Sequence, residues 1–327
     1  MSIEEKLNFK TLEWHSNHLK LIDQTLLPDK LEYIECRETN DFVQAIKKLV
    51  VRGAPAIGCT AAYGIALAAK KGENLEQTAN VLKNARPTAV NLAWAVERMM
   101  KLTSTEAGGP EALEQEAIAI HNEDAEMCRR MGKNGDKLIK DDCRILTHCN
   151  AGALATGGIG TALAVIYTAK FGGKNISVWV DETRPILQGA RLTAWELGRA
   201  GVPHTLICDN MAASLIGNNC VDCVITGADR IAANYDVANK IGTYNLAVLC
   251  QYHKIPFYVA APSSTFDFEC PNGQSIIIEN RADKEITAVK GQVIAPKGVN
   301  VFNPAFDVTP HELVTAIITE KETIRPV

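Results

Sequence analysis

The chain has no excess of basic residues. Lysine and arginine together number 34, against 38 aspartates and glutamates, which gives a net charge of −4 with histidine neutral. A strongly basic surface is what attracts a phosphodiester backbone, so we do not expect nucleic acid as a partner. The charge balance still allows a local site for a small anion.

The chain is also poor in cysteine and in targeting signals. Ten cysteines in 327 residues are too few for a disulfide scaffold, and Cys59, Cys208 and Cys250 lie in apolar runs, where reduced thiols pack as small hydrophobic groups. The start, MSIEEKLNFK, has no apolar stretch behind a basic one, and the final ETIRPV matches no retention or lipidation signal. These features predict a reduced, cytoplasmic protein.

A strongly apolar run of membrane-spanning length is also missing. Two uncharged runs occur, at residues 54–69 and 151–169, and the second approaches the roughly 20 residues that a span needs. It contains four glycines and three threonines, so it is only weakly apolar. We interpret both runs as buried helices of a fold that does not enter a membrane.

Length and composition predict a globular protein of two domains. At about 150 residues per domain, 327 residues make about two, and 46% hydrophobic with 22% charged residues is typical of globular chains. For residues 1–125 we predict a small β-meander within 14–22, followed by amphipathic helices. The predicted helices are 41–50, 55–70, 74–85, 89–102 and 110–138, with a loop at 103–112 and a polar helical link through 123–137.

Residues 126–327 have the pattern of a doubly wound, Rossmann-like parallel sheet. Short β-branched runs alternate with helical segments, which is typical of βα units. The predicted fold class is therefore α/β, with a mainly helical N-terminal domain followed by a Rossmann-like C-terminal domain. The predicted strands are 144–148, 176–180, 204–208, 223–226 and 257–261, and two of the predicted helices are 188–199 and 237–251.

Polar or reactive residues follow four of these strands. They are Cys149, Asp181, Asp209 and Asp229. Ligands bind beyond the carboxyl ends of parallel strands, so we expect these side chains to converge on one crevice. A single acidic residue at such a place often only caps the next helix, but four strand ends together favour a site.

The glycine-rich stretch 149–160 matches neither common nucleotide motif. Gly152 and Gly157 have the P-loop spacing, but a glycine and an isoleucine follow where Lys and Ser or Thr are required. Gly158 and Gly160 lack the third glycine of the dinucleotide fingerprint. Two interpretations remain: close packing of a helix on the sheet, or a cradle of backbone N–H groups for a small phosphorylated ligand.

The sequence predicts no metal and no cofactor. His15 and His18 lie in an N-terminal segment that we expect to be exposed, and there is no HExxH motif. Cys220 and Cys223 form a lone CxxC whose second member enters a predicted strand, so we interpret the pair as packing.

Three residues are candidates by their position alone. Cys149 precedes a predicted helix, whose N-terminal dipoles would favour the thiolate, although a buried structural cysteine is the commoner case. Asp229 could act chemically or merely cap a helix. Arg52 precedes Gly53, Ala54 and a predicted helix start, and this suits a phosphate, although surface arginines are common there.

Eight segments across nearly the whole chain form a specific set. They are VRGAPAIG (51–58), RPTAVNL (86–92), THCNAGALAT (147–156), DETRPILQGARLTAWEL (181–197), TGADRIAAN (226–234), DVANKIGTY (236–244), PFYVAAPSSTFD (256–267) and NPAFDVTP (303–310). Together they resemble the methylthioribose-1-phosphate isomerase family, whose superfamily includes the α, β and δ subunits of the eukaryotic initiation-factor exchange complex.

The resemblance implies a catalytic pair and a binding set. The catalytic pair falls on Cys149 and Asp229. The implied substrate-binding residues are Arg52, Gly53, Ala54, Arg86, Gln188, Asn239 and Lys240. The resemblance also implies a sugar phosphate as ligand and a homodimer. One departure is Tyr235, where the family usually has glycine; because glycine adopts positive φ freely and tyrosine does not, we expect a strained turn and a changed pocket beside Asp229.

The implied reaction is the conversion of 5-methylthioribose 1-phosphate to 5-methylthioribulose 1-phosphate in methionine salvage. The anomeric oxygen carries the phosphate, so the ring cannot open by simple hemiacetal reversal. We assign Asp229 as the general acid on the ring oxygen, and Cys149 as the base or transition-state stabiliser at the C2 hydrogen. An aspartate in this role needs apolar, dry surroundings.

Two alternatives come from the same superfamily. One is a related isomerase acting on ribose 1,5-bisphosphate or 5-deoxyribose 1-phosphate, and the C5 side of the pocket would decide by offering cations or apolar surface. The other is a non-catalytic regulatory subunit that binds sugar phosphates or partner proteins. The presence of both Cys149 and Asp229 argues against the second alternative.

Overall fold

Three short strands near the start of the chain form an antiparallel sheet. In the computed structural model, which describes residues 2–86, 89–103 and 108–326, they pair in the order β1-β2-β3. Their bounds are Leu12–Trp14 (β1), Leu19–Ile22 (β2) and Tyr33–Cys36 (β3). This sheet is the predicted β-meander, extended by one strand.

Helices dominate the next hundred residues. Their bounds, with that of the first short helix, are Ile3–Leu7 (α1), Thr39–Lys47 (α2), Ala54–Lys70 (α3), Leu75–Lys83 (α4), Val90–Thr103 (α5) and Pro110–Asp136 (α6). The predicted helices correspond to α2–α6, and four residues of the predicted loop, 104–107, lie outside the described part. Helix α3 is buried almost throughout because its small residues let neighbours approach: a Cβ at Gly58 would lie 3.0 Å from the Asn91 carbonyl oxygen.

The remaining chain alternates strands with helices. The strands are Arg144–Thr147 (β4), Ser177–Asp181 (β5), His204–Ile207 (β6), Cys223–Thr226 (β7), Arg230–Ala232 (β8), Val237–Lys240 (β9), Phe257–Ala260 (β10), Phe266–Asp267 (β11), Ala288–Val289 (β12), Gln292–Val293 (β13), Phe306–Thr309 (β14), Ala316–Ile318 (β15) and Thr323–Ile324 (β16). The helices are Ala162–Phe171 (α7), Ala194–Arg199 (α8), Ala212–Gly217 (α9), Thr243–His253 (α10) and Lys284–Thr287 (α11).

A large sheet, parallel except at one edge, organises this part. Its order is β16-β15-β10-β7-β4-β5-β6, and only β16 runs antiparallel to its neighbour. The chain winds to one side through β5 and β6 and then to the other through β7, β10 and β15. The direction of winding therefore reverses between β4 and β7, where sheets of this kind open a crevice. The α/β class with a mostly parallel sheet is confirmed.

A second, four-stranded sheet lies beside the crevice. Its order is β11-β8-β9-β14, and β9 pairs antiparallel with both β8 and β14. The sequence predicted a helix over 237–251, and this prediction was wrong for its first residues. Residues Val237–Lys240 are all buried in a strand, and α10 begins only at Thr243, after Gly242 turns the chain with φ 102°.

The uncharged run 151–169 is likewise not one helix. A short 3₁₀ turn covers Ala153–Ala155, and α7 starts only at Ala162. The glycines between them pack closely, since a Cβ at Gly158 would lie 2.7 Å from Cα of Ala125 in α6. This contact favours packing over an anion cradle. Among the helices formed by residues 2–86, 89–103 and 108–326, none is long and apolar enough to cross a membrane.

The long helix α6 joins the two parts of the chain. It packs on α3 among the early helices and on α7 beside the large sheet. The predicted boundary at residue 125 lies inside this helix.

Candidate active site

A cavity opens at the point where β4 and β7 end. Cys149 follows β4 by two residues, Asp229 follows β7 by three, and both line the cavity. The residues that line it come from both parts of the chain, between Leu49 and Phe306. The sheet thus brings the two candidate catalytic residues to one crevice.

The predicted binding residues surround the same space. Arg52, Gly53, Arg86, Gln188 and Lys240 line this cavity. Ala54 and Asn239 line an adjoining cavity that Cys149 and Asp229 share. All nine residues predicted for the site are therefore brought together, although they come from widely separated parts of the chain.

The start of helix α3 forms one wall. Gly53 is its N-cap residue with φ 89°, a conformation that favours glycine, and Pro55 lies in the first turn, where its missing N–H costs nothing. A Cβ at Gly53 would collide with the backbone of Ala155. The position requires glycine for both reasons, and it leaves the first N–H groups of α3 beside the cavity.

Hydrogen bonds on both sides of Cys149 fix its backbone. Its N–H donates to Oγ1 of Thr183 at 2.8 Å, and its carbonyl oxygen accepts from Oγ1 of Thr193 at 2.6 Å. Its φ is 62°, in the left-handed region, which is costly for a residue other than glycine. Strained backbone of this kind is often found at functional sites.

The thiol of Cys149 does not have the environment that the sequence predicted. No α-helix starts at Cys149, because the next regular element is the 3₁₀ turn at Ala153–Ala155. Burial raises the pKa of Cys149, while the positive charges of Arg52 and Lys240 oppose that shift. The expectation of a thiolate stabilised by helix dipoles was wrong, and nearby side-chain cations take the place of the helix.

Asp229 lies among cationic side chains, so the expectation of apolar, dry surroundings for this acid was wrong. Its N–H donates to the carbonyl oxygen of Ala238 on β9 at 2.9 Å, which holds the turn after β7 against the second sheet. Burial lowers the pKa of both Arg86 and Lys240, and in each case the charge of Asp229 opposes that shift. Nζ of Lys240 donates to the Ala305 carbonyl oxygen at 2.9 Å.

Sequence reasoning missed a group of lining residues that lie late in the chain. Arg281 adds a fourth cation, and it pairs with Glu279 at 2.8 Å and with Glu285 at 2.5 Å. Asn303 and Phe306 also line the cavity. Both lie in NPAFDVTP, a segment of the family resemblance, but neither the resemblance nor a periodic pattern assigned them a role.

Two of the four strand-end residues do not line the cavities that hold Cys149 and Asp229. Oδ2 of Asp181 is 2.9 Å from Nδ1 of His148, deep in the protein, and Asp209 accepts hydrogen bonds from the backbone N–H groups of Thr183 and Arg184. The expected convergence of all four was therefore wrong. These two carboxylates bind neighbouring protein groups and support the site from behind.

The His148 ring lies between two acceptors. Nδ1 faces Asp181 and Nε2 is 2.9 Å from the Ile241 carbonyl oxygen. Burial disfavours the imidazolium, but the hydrogen bond and charge of Asp181 outweigh it and raise the pKa of His148, while burial also raises the pKa of Asp181. The ring therefore links Asp181, at the end of β5, to the backbone that precedes α10.

Two clusters in the described part of the chain have spacing that could suit a metal ion. They are His148, Asp181 and Asp209, and then Asp236, His311 and Glu312. In the first, the contacts given above already engage His148 and Asp209. In the second, Asp236 accepts from Asn234, Gly273 and His311. Protein groups thus already bind His148, Asp209 and Asp236, and the metal-free site stays a prediction.

Tyr235 adopts the strained turn expected of it, with φ 69°. Its ring packs edge-on against Phe266, with centroids 6.2 Å apart. It does not line the cavities described around Asp229. The tyrosine therefore occupies a turn beside the second sheet, and the expected change of the pocket beside Asp229 stays a prediction.

Comparison with known proteins gives relatives over the full length. Residues 50–326 match the Initiation factor 2 subunit family. Methylthioribose-1-phosphate isomerase of Desulforamulus reducens is 53% identical over 96% of this chain and 94% of its own, and that of Chloroflexus aurantiacus is 54% identical over 98% and 96%.

Solved structures agree with these relatives. The 5-methylthioribose 1-phosphate isomerase of Pyrococcus horikoshii is 43% identical and superposes with a TM-score of 0.92, covering 100% of this chain and 96% of its own. The translation initiation factor eIF-2B, subunit delta, from A. fulgidus is 47% identical with a TM-score of 0.87, covering 97% and 96%. The chain therefore belongs to the Initiation factor 2 subunit family and, within it, to the methylthioribose-1-phosphate isomerases.

Proposed function

We propose that the protein is an aldose-ketose isomerase that converts 5-methylthioribose 1-phosphate to 5-methylthioribulose 1-phosphate in methionine salvage. One observation carries the proposal: Cys149 and Asp229 line the same cavity, at the crevice of the large sheet, among four cationic side chains. A carboxyl group can act as the general acid and a thiol as the base of a proton transfer. The cations can bind a phosphate ester through charge-assisted hydrogen bonds.

Arg52 and Arg86 hold the C1 phosphate in this proposal, with Lys240 nearby. A phosphate carries close to two negative charges and accepts several hydrogen bonds, and an arginine fork supplies two donors at once. The N–H groups of Gly53 and Ala54 at the start of α3 add backbone donors and the positive end of the helix dipole. The phosphate thereby fixes C1 beside the catalytic pair.

Asp229 donates a proton to the ring oxygen as the bond from that oxygen to C1 breaks. The hydrogen at C2 then moves to C1, either as a proton through an enolate or as a hydride, and the proton of the C2 hydroxyl group returns to the Asp229 carboxylate as the ketone forms. Cys149 takes and returns the proton on the first route and stabilises the transition state on the second. Burial makes its thiolate costly, so the first route depends on the positive charges of Arg52 and Lys240.

An apolar cavity next to the site favours a methylthio group at C5. It shares Arg86, Asp229 and Phe306 with the main cavity. The other residues that line it are Ala54, Ile57, Ala89, Arg230, Ala238, Ile276 and Ile277. Among the described residues, Arg230 is the one cation that this cavity adds, and its Nη1 forms an ion pair with Oδ2 of Asp267 at 3.4 Å. A second phosphate at C5 would therefore meet mainly hydrocarbon, which argues against ribose 1,5-bisphosphate.

A regulatory role is the second candidate, because a 47% identical structure is named as a subunit of an initiation factor. Such a role requires neither a thiol nor a carboxyl group in the cavity. The pairing of Cys149 with Asp229 at one crevice therefore favours the enzyme.

The deciding experiment is an isomerase assay on the purified protein. We expect turnover of 5-methylthioribose 1-phosphate with kcat/KM at least tenfold above that for 5-deoxyribose 1-phosphate, and still less for ribose 1,5-bisphosphate. Preference for the bisphosphate would support the related isomerase. Binding of sugar phosphates without turnover would support the regulatory subunit.

We further propose how the molecule is organised. Residues 1–125 form a mainly helical domain and residues 126–327 a doubly wound, Rossmann-like catalytic domain. The protein works as a cytoplasmic homodimer, without metal, cofactor or nucleic acid. Light scattering coupled to gel filtration tests the assembly: a mass of about twice 35.5 kDa supports the dimer, and a mass near 35.5 kDa contradicts it.

A further inference from the structure

A buried carboxylate lies behind the catalytic loop, outside the cavities described above. Glu196 is fully buried in α8, and four donors converge on it. They are Nδ2 of Asn150 at 2.8 Å, the N–H groups of Ala153 and Leu154 at 2.7 and 3.1 Å, and Oη of Tyr167 at 3.1 Å. Burial raises the pKa of Glu196, and these four hydrogen bonds oppose that shift, because an ionised carboxylate can accept all of them.

The same helical segment contacts Cys149 and the loop that follows it. A π-helical turn, Gly189–Thr193, directly precedes α8. Thr193 donates to the Cys149 carbonyl oxygen, and Glu196 binds the loop that follows Cys149. Turns of this kind occur often at functional sites. Here the wider turn places Gln188, Thr193 and Glu196 along one segment beside the catalytic loop.

Asn150 connects Glu196 to Arg52. Its Nδ2 donates to Oε1 of Glu196 and, at 3.2 Å, to Oγ1 of Thr193. Its Oδ1 therefore faces the other way and accepts from Arg52 at 2.5 Å, while its carbonyl oxygen accepts from the same guanidinium at 2.9 Å. A flipped amide would set donor against donor at Arg52 and acceptor against acceptor at Glu196.

The loop that Glu196 holds also supports the wall built by α3. Gly53 lies directly against Ala155, so close that no side chain fits between them. The carbonyl oxygens of Ala153 and Leu154 accept from Thr11 and Gln24. Residues 150–155 therefore join the anion-binding start of α3 to the segment that contains Cys149.

We propose that Glu196 is a positioning residue, which orients the Asn150 amide and through it holds Arg52 in place for the substrate phosphate. The proposal rests on the proposed role of Arg52. Glu196 itself lies too deep to touch substrate, so its effect reaches the reaction only through these neighbours. The carboxylate determines which end of the Asn150 amide faces Arg52, and this makes its charge, beyond its size, the important property.

Glu196→Gln tests this directly, because it keeps the size and removes two acceptor positions. A glutamine can present its NH₂ to Asn150, which then turns its own NH₂ toward Arg52. We expect KM for 5-methylthioribose 1-phosphate to rise about tenfold or more, with kcat changed less, and the inhibition constant of inorganic phosphate to rise in parallel. Tyr167→Phe is the matched control, since it removes a donor to Oε2 of Glu196, leaves the bond from Asn150 to Oε1, and should leave KM within twofold.

A double-mutant cycle separates positioning from general stability. In an Arg52→Ala background, Glu196→Gln should add less than threefold to KM, because the residue it positions is gone. Asn150→Ala should raise KM as Glu196→Gln does, and it keeps the assignment testable if Glu196→Gln does not fold.

Three results would overturn the proposal. The first is a KM of Glu196→Gln within twofold of wild type. The second is a double variant whose KM rises by the product of the increases that Arg52→Ala and Glu196→Gln cause separately. The third is an unchanged KM in Arg52→Ala itself, which refutes the phosphate role of Arg52 and is recognisable because that single variant is measured separately. A KM raised by Arg52→Ala but not by Glu196→Gln or Asn150→Ala rejects the positioning role alone.

Discussion

Removing the Arg86 guanidinium should weaken substrate binding far more than it weakens the fold. Arg86 is mostly buried, with 21% of its side chain exposed, and its Nη2 lies 3.9 Å from Oε2 of Glu279. No hydrogen bond forms between those two atoms at that distance, so this pair leaves the guanidinium able to bind a phosphate. Hydrogen bonds to charged groups contribute about 1.5–3 kcal/mol, and about 1.4 kcal/mol changes an affinity tenfold. Arg86→Ala should therefore raise KM by about 10- to 100-fold.

Steady-state kinetics beside a thermal melt measures this effect, and Arg98→Ala is the matched control. Arg98 pairs with Glu116 at 2.6 Å and with Glu123 at 2.5 Å, away from the cavity. These pairs are partly exposed and do not line the cavity, so the control should keep its KM even if it loses some stability. If folded Arg86→Ala retains both KM and kcat within twofold of wild type, the phosphate role of Arg86 is wrong.

Three further predictions concern the thiol, a buried acid and metals. Cys149→Ser should fold normally and lose at least about 10²-fold in kcat, because an alcohol is a far weaker acid than a thiol; near-normal turnover would exclude Cys149 from the chemistry. Burial raises the pKa of Asp124 to about 7. The native state then keeps a proton that the unfolded chain releases, and the free energy of unfolding should fall by about 1.4 kcal/mol per pH unit from about pH 4 to 7. Urea melts of Asp124→Asn should lack this component, and an identical pH slope in the variant would contradict it. Exhaustive chelation should leave activity intact, whereas a loss restored by a divalent ion would overturn the metal-free site.

The sequence predicted the elements whose pattern is local. Strands such as Arg144–Thr147 and Cys223–Thr226 are short β-branched runs, buried on both faces, and the predicted strands match them closely. Cys149 and Asp229 could be singled out because the carboxyl ends of parallel strands are where ligands bind. Convergence of their side chains then followed from the order of the strands.

Local patterns were insufficient where distant pairing decides the structure. Val237–Lys240 is a strand because it lies between β8 and β14, and β14 comes more than sixty residues later. Arg281 and Phe306 line the cavity from a segment of short and irregular elements. In such a segment the sequence has no helix or strand periodicity that would show which side chains face the cavity. The direction in which Asp181 points was equally hidden, since only the fold shows that His148 lies beside it.

The most direct test of the catalytic site is the turnover of Asp229→Asn. Asparagine keeps the size and much of the hydrogen bonding of aspartate but cannot donate a proton as an acid. If Asp229 protonates the ring oxygen, kcat should fall by about 10² to 10⁴, while the melting temperature and the binding of substrate change little. If Asp229 serves only the turn after β7, the variant loses about 1 kcal/mol of stability and keeps its turnover. A folded Asp229→Asn protein that retains more than a tenth of the wild-type kcat contradicts the account.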